Sequence, residues 1–265
     1  MEKQFRYQSA TISYRMEGEG SPVVLLHGFG EDGHIWDEQV QFLKQYCLLL
    51  VPHLPGSGAS GILHGENITI SAYADVIHAL LQEEKIGSCL MLGHSMGGYI
   101  TLAFAEKYPS LLTGFGLVNS TAFADSEEKK KTRARAIETI GRYGAAAFIR
   151  TTIPGLFAAG FAQQHPGKVE ALAEAGKQFS EEALQQYYQA MMNRPDRTAV
   201  LQSNPLPVLF VIGTEDQAAP MNDVLKQAHL PLKSYIHVLE HVGHMSMLEA
   251  SDTLNRYLHA FINLA

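Results

Sequence analysis

The sequence predicts an α/β fold, with a mostly parallel sheet, helices on both of its faces and one inserted helical segment. Three observations carry that expectation. Continuous apolar runs at residues 23–26, 48–51, 89–92, 115–118 and 208–212 have the length of strands and the unbroken hydrophobicity of strands buried on both faces. Stretches with apolar residues at helical spacing separate most of these runs, as a parallel sheet with crossover helices requires. Residues from about 121 to 204 break this rhythm, with no strand-like run and only helical patterns rich in Ala, Gln, Glu and Lys. We therefore assign residues 1–120 and 205–265 to the α/β core and residues 121–204 to an inserted helical lid or cap. A chain of 265 residues accommodates this as one large domain.

In chain order, Phe5, Tyr7, Ile12, Tyr14 and Met16 alternate before Gly18 and Gly20, the signature of an antiparallel edge pair. The strand at 23–26 runs into His27-Gly28-Phe29-Gly30. A helix is expected over 35–46 from the spacing of Trp36, Val40 and Leu43, and the strand at 48–51 then enters a Pro/Gly-rich loop over 52–60. Thr69 caps a helix carrying Tyr73, Val76, Ile77, Leu80 and Leu81. The next strand leads to Ser95, and Pro109 ends the helix that follows. Within the insertion, Gly141, Gly144, Pro154, Gly155, Gly160, Pro166 and Pro195 read as interruptions between short helices. After 208–212 come a helix near 220–228, a last strand at 235–239 and a C-terminal helix from about Ser246.

The stretch that organises the chemistry is Gly93-His94-Ser95-Met96-Gly97-Gly98. An apolar strand breaks into glycines around one serine and resumes as a helix, so Ser95 sits on a sharp strand-to-helix turn, where a nucleophile is presented. A serine hydroxyl is weak at neutral pH and needs a base and an acid that orients the base. The last two strands supply both, at Gly213-Thr214-Glu215-Asp216 and His241-Val242-Gly243-His244. Asp216 is preferred to Glu215 because it lies farther from the strand end, and His244 to His241 because it follows Gly243 and can reach over the sheet edge. An acyl-transfer site also needs amides for the oxyanion. Met96, directly after the serine, is one, and Phe29, presented by a turn at Gly28, is the other. His27 is assigned to holding its loop and His94 to packing beside the serine.

Composition excludes several classes. A formal net charge of −7 argues against a nucleic-acid partner. The one basic run, Lys129-Lys130-Lys131-Thr132-Arg133-Ala134-Arg135, reads as a solvated helix face. Cys47 and Cys89 lie in apolar runs and read as buried thiols rather than a disulfide. With no apolar signal core near residue 1 and no run long enough for a membrane span, a soluble cytoplasmic protein is expected. No ligand set with metal spacing accompanies His241 and His244, so neither a metal nor a cofactor is expected. Nothing here sets an oligomeric state.

The chain resembles the α/β-hydrolase family over almost its whole length. The resemblance rests on His27-Gly28-Phe29-Gly30, the loop Pro55-Gly56-Ser57-Gly58-Ala59-Ser60, the segment from Gly93 to Gly98, the segment from Gly213 to Asp216 with Pro220 beyond it, and Gly243-His244, all in family order. It implies Ser95 as nucleophile, His244 as base, Asp216 as orienting acid, Phe29 and Met96 as oxyanion amides, and residues 121–204 as a lid. One departure is His53, where many members carry an acidic residue.

A serine nucleophile separates this chain from the dehalogenase and epoxide-hydrolase branches, which are built on aspartate. The expected activity is hydrolysis of small or medium carboxylic esters through an acyl-enzyme. The expected partner is a small-molecule substrate with an apolar acyl portion, received by Phe29, Met245 and lid residues such as Phe123, Ile153, Leu156, Phe157, Phe161, Tyr187, Tyr188, Met191 and Met192. Alternatives on the same scaffold are a menaquinone-pathway-like lyase or carbon–carbon bond hydrolase taking an acidic substrate through Arg133, Arg135, Arg142 or Arg150, a cofactor-free perhydrolase, and a non-catalytic ligand receptor. Tyr99 stands where the lyases commonly place arginine.

Overall fold

The computed structural model describes residues 2–265. Strands β1 (Glu2–Tyr7) and β2 (Ala10–Glu17) form an antiparallel hairpin in which Phe5 lies opposite Ile12. Next come β3 (Pro22–Leu26), a 3-10 turn at Gly33–Trp36, α1 (Asp37–Leu43) and β4 (Leu48–Pro52). Helix α2 (Ile70–Glu83), β5 (Cys89–His94), α3 (Met96–Lys107) and β6 (Leu112–Val118) follow. The insertion holds α4 (Glu127–Tyr143), α5 (Ala145–Thr152), α6 (Ala159–Gln164), α7 (Pro166–Ala175), α8 (Glu181–Met192) and α9 (Thr198–Ser203). The chain closes with β7 (Pro207–Gly213), α10 (Met221–Ala228), β8 (Lys233–Leu239), α11 (Ser246–Glu249) and α12 (Ser251–Ile262).

The eight strands form one sheet in the order β1-β2-β4-β3-β5-β6-β7-β8. The two antiparallel pairings are those of β2 with β1 and with β4; the other pairings are parallel. Six strands in consecutive positions, from β4 to β8 in the sheet order, therefore end at one edge. In the register, Leu26 pairs with Gly93, His94 with Val118, Val118 with Val211 and Gly213 with Leu239. The residues just past these ends, from His27, Ser95, Asn119, Thr214 and Glu240 onward, converge because strand order and direction place them side by side.

Helix α1 packs on α12 and α2 on α3, giving the layers that cover the sheet. Helix α3 is buried from Met96 to Ala105 and so is apolar nearly all round, while α2 buries only the stripe that includes Tyr73, Val76, Ile77, Leu80 and Leu81. Thr69, Ser126 and Ser180 each cap a helix, their side chains accepting from the amides of Ala72, Lys129 and Ala183. Each cap contributes about 1 kcal/mol. Cys47 and Cys89 are buried free thiols. Among the described residues no helix is long and apolar enough to cross a membrane.

Three local expectations change. The segment expected as one helix over 35–46 is a 3-10 turn capped by Asp32 followed by α1, which ends at Leu43 because the Leu43 carbonyl accepts from the amides of both Tyr46 and Cys47 and turns the chain. Gly141 does not interrupt: α4 continues through it to Tyr143, and Pro166 opens α7 at a position where its missing N–H costs nothing. The C-terminal helix divides at Ala250, whose φ of −139° leaves the helical region.

Candidate active site

Ser95 occupies the bend between β5 and α3 with φ 51° and ψ −115°, a conformation costly for a side-chain-bearing residue. The surrounding structure imposes it. A Cβ on Gly93 would stand 2.2 Å from the Gly97 carbonyl oxygen, and one on Gly97 would stand 2.4 Å from that of Leu26, so only glycines let β5, α3 and β3 close around the bend. The Ser95 carbonyl accepts from Ser120 Oγ at 2.7 Å, which ties the bend to the end of β6.

His244 and Asp216, from the loops after β8 and β7, meet at the sheet edge. His244 Nδ1 lies 3.0 Å from Asp216 Oδ1 and 2.9 Å from Oδ2, with both side chains buried. Facing a carboxylate, Nδ1 carries the proton, which leaves Nε2 as the acceptor. The Asp216 carboxylate is further fixed by the amides of Ala218 and Ala219 on Oδ1 and by Asn119 Nδ2 on Oδ2. Burial alone would raise its pKa, but the His244 ring and these donors outweigh it and hold the carboxyl below its ordinary value. The passed-over candidates, Glu215 and His241, face each other at 3.3 Å on the surface, away from this cluster.

Asn119 was not singled out from the sequence, although φ of 48° at the end of β6 marks it as special. Its amide nitrogen also donates to the Gly243 carbonyl at 3.1 Å, and its oxygen accepts from Ser246 Oγ at 2.6 Å, so one residue braces both Asp216 and the His244 loop. Glu249 likewise accepts from the amides of Gly243, Met245 and Ala158, joining the His244 loop to the insertion.

On the other side of Ser95, the loop after β3 is held by two histidines. His27 lies against the Gly28 carbonyl through Nδ1 and accepts from the Leu54 amide through Nε2, so it is a neutral ring bridging two loops, its pKa pushed down to about 4 by burial. His94 does more than pack. Its Nδ1 lies 3.1 Å from Glu31 Oε2 and its Nε2 lies 2.9 Å from the His244 carbonyl, while the same Glu31 oxygen accepts from the Gly28 amide at 2.9 Å. Glu31 was also missed from the sequence, since nothing local announces that a loop acid meets a histidine 63 residues away. The amides of Phe29 and Met96 make no hydrogen bond to other described residues.

Ser95 and His244 line one cavity of about 130 Å³, together with Phe29, Glu31, Tyr99, Leu156, Tyr188 and Met191. Of the apolar residues expected there, Ile153, Phe157, Tyr187 and Met245 are instead buried core, and Phe123 lines a neighbouring cleft. The basic run is not wholly a solvated face: Lys129 and Arg133 line the Ser95 cavity, because residues four apart share one side of α4. A larger pocket of about 240 Å³ beside α7 reaches neither Ser95 nor His244. Asp32, His34 and His53 bring possible ligand atoms within 4.8 Å of one another, but His53 Nδ1 already accepts from the Gly33 amide at 3.2 Å.

A serine on a strained strand-to-helix bend, with a histidine–aspartate pair at the same sheet edge, defines the class. A family model described as the alpha/beta hydrolase fold matches residues 21–251, and the chain belongs to that family. It is 26% identical over 245 residues to Lipase 1 of Psychrobacter immobilis, covering 88% of this chain and 74% of the lipase. The structure is similar to that of a thermophilic esterase from Thermogutta terrifontis, with a TM-score of 0.93, 27% identity and coverage of 99% of this chain and 98% of the esterase. It also shares its fold with the enol-lactonase from Burkholderia xenovorans LB400, with a TM-score of 0.90, 23% identity and coverage of 98% and 100%.

Proposed function

We propose that this protein is a serine hydrolase that cleaves small or medium carboxylic esters through an acyl-enzyme. The observation that carries the reading is the placement of Ser95 and His244 on one cavity, with His244 Nδ1 held by Asp216. Ser95 Oγ attacks the ester carbonyl while His244 Nε2 takes its proton, and Asp216 stabilises the imidazolium that forms. The amides of Phe29 and Met96 receive the oxyanion; Met96 stands at the N-terminus of α3, where the helix dipole favours negative charge. The imidazolium then protonates the departing alcohol, and water, deprotonated by His244, releases the acid.

Residues 121–204 act as the lid in this reading, since Lys129, Arg133, Thr152, Leu156, Tyr188 and Met191 close the cavity opposite the sheet edge. The lipase and esterase similarities support ester substrates. The volume of about 130 Å³ suits a short acyl chain, with Leu156, Tyr188 and Met191 as its apolar wall. A fluorophosphonate probe is expected to label Ser95, and Ser95→Ala to abolish p-nitrophenyl ester turnover. Folded protein that neither reacts with the probe nor turns over any ester would overturn the reading.

A further inference from the structure

The Ser95 cavity has a cationic wall that the ester reading leaves without a task. Lys129 and Arg133 stand one turn apart on α4 and both line the cavity. Like charges at this spacing destabilise a helix unless an anion sits between them. The fold provides only part of one. Asp125, its side chain fully buried, accepts from Arg133 Nε, but it also lies 2.8 Å from Arg194 Nη1. Arg194 stacks over the Tyr99 ring at 3.8 Å, so two guanidinium groups share this one carboxylate and Lys129 has no salt bridge among the described residues.

The other carboxylates nearby are engaged elsewhere. Glu31 meets His94, Asp216 meets His244, Asp223 pairs with Lys226, and Asp196 accepts from Thr198. The sum is felt at Tyr99, whose hydroxyl burial would raise but which Arg194, Lys129 and Arg133 hold below its ordinary pKa. Donors are left over as well. Lys129 Nζ makes one hydrogen bond, to the Ala218 carbonyl at 2.7 Å, of the three an ammonium can make. Arg133 makes its hydrogen bond through Nε, so Nη1 and Nη2 have no hydrogen-bond partner among the described residues. Lys129 also lines the neighbouring cleft of about 350 Å³, so it borders both spaces.

We propose that the substrate carries a free carboxylate, received by Lys129 Nζ and the outer nitrogens of Arg133 while its ester carbonyl lies at Ser95. This rests on the serine-hydrolase reading above and names the substrate class for it: half-esters of short dicarboxylic acids, or lactones and esters bearing an acid group. The planar fork of Arg133 suits a carboxylate, and the compact cavity sets the two functional groups a short chain apart.

The test compares the monomethyl esters of succinate, glutarate and adipate with methyl butanoate, pentanoate and hexanoate, following acid release. The best half-ester is expected to exceed the neutral ester of equal chain length in kcat/KM. Removing one charged hydrogen bond, by Lys129→Gln or Arg133→Gln, should lower that ratio by about 10- to 100-fold. Because Arg133→Gln leaves the Asp125 carboxylate short of a partner and can misfold, Lys129→Gln carries the comparison if the melting curve of the other variant collapses. Glutarate is also expected to bind Ser95→Ala protein in calorimetry, and more weakly when Lys129→Gln is added. Neutral esters preferred, with Ser95-dependent turnover and no glutarate binding, would overturn this inference alone. Failure of every ester together with no fluorophosphonate labelling would overturn the hydrolase reading and this inference with it.

Discussion

Glu31 and His94 form a buried pair, Oε2 to Nδ1 3.1 Å, that touches both sides of Ser95. Through Glu31 the pair holds the Gly28 amide, and through His94 it holds the carbonyl of His244. Both His94 nitrogens face acceptors, so the ring is doubly protonated beside an ionised Glu31. In each case burial opposes the charge but the partner outweighs it, raising the His94 pKa and lowering that of Glu31.

Glu31→Gln is expected to destabilise the protein by about 3 kcal/mol, because it leaves a buried charge without its counterion. The His94 contribution is fully present below its ordinary value of 6.5 and is lost as pH rises through its raised folded pKa. The Glu31 contribution is fully present above 4.5 and is lost as pH falls through its lowered folded pKa. The difference in Tm between wild type and variant should therefore be widest between those two values and narrow on either side. A difference that does not change with pH would show that the pair is not ionised.

Ser95 carries backbone strain, with φ of 51° and ψ of −115°. Ser95→Gly should be more stable than Ser95→Ala by about 1 kcal/mol, because glycine adopts φ of 51° without the penalty that alanine keeps. Chemical denaturation of the two variants measures this directly, and equal midpoints would mean that the bend is unstrained.

Asn119 sets the orientation of Asp216 through one hydrogen bond at 3.0 Å. Asn119→Ala should lower kcat by about tenfold with little change in KM, since in the proposed mechanism the bond holds the acid that orients His244 and does not touch substrate. Asn119→Asp should be worse, because it sets a second carboxylate against Asp216. A rise in KM alone would place Asn119 in substrate binding instead.

Glu215 and His241 make a contact of 3.3 Å on the surface, with His241 at φ of 59°. The double variant Glu215→Gln/His241→Asn, which keeps a residue tolerant of that backbone, should stay within about twofold of wild type in kcat/KM. A large loss would transfer the acid–base role to this pair.

The alternation of strands and helices in the core, the bend at Ser95 and the loops that carry Asp216 and His244 were legible in the residues alone. These are local signals: apolar runs of strand length, glycines where no Cβ fits, and breakers at strand ends. What depends on strand order and helix rotation was not legible there and follows from how the elements pack. It alone brought Glu31 to His94 and Asn119 to Asp216, pairs separated by 63 and 97 residues. It also turned Lys129 and Arg133 from an apparent solvated face toward the Ser95 cavity. Charge and spacing along α4 do not specify which side of the helix meets the sheet edge. That is set by packing within the insertion, above all of α4 against α8 and α5, where the hydrophobic contacts of many residues outweigh the preference of any one lysine for water.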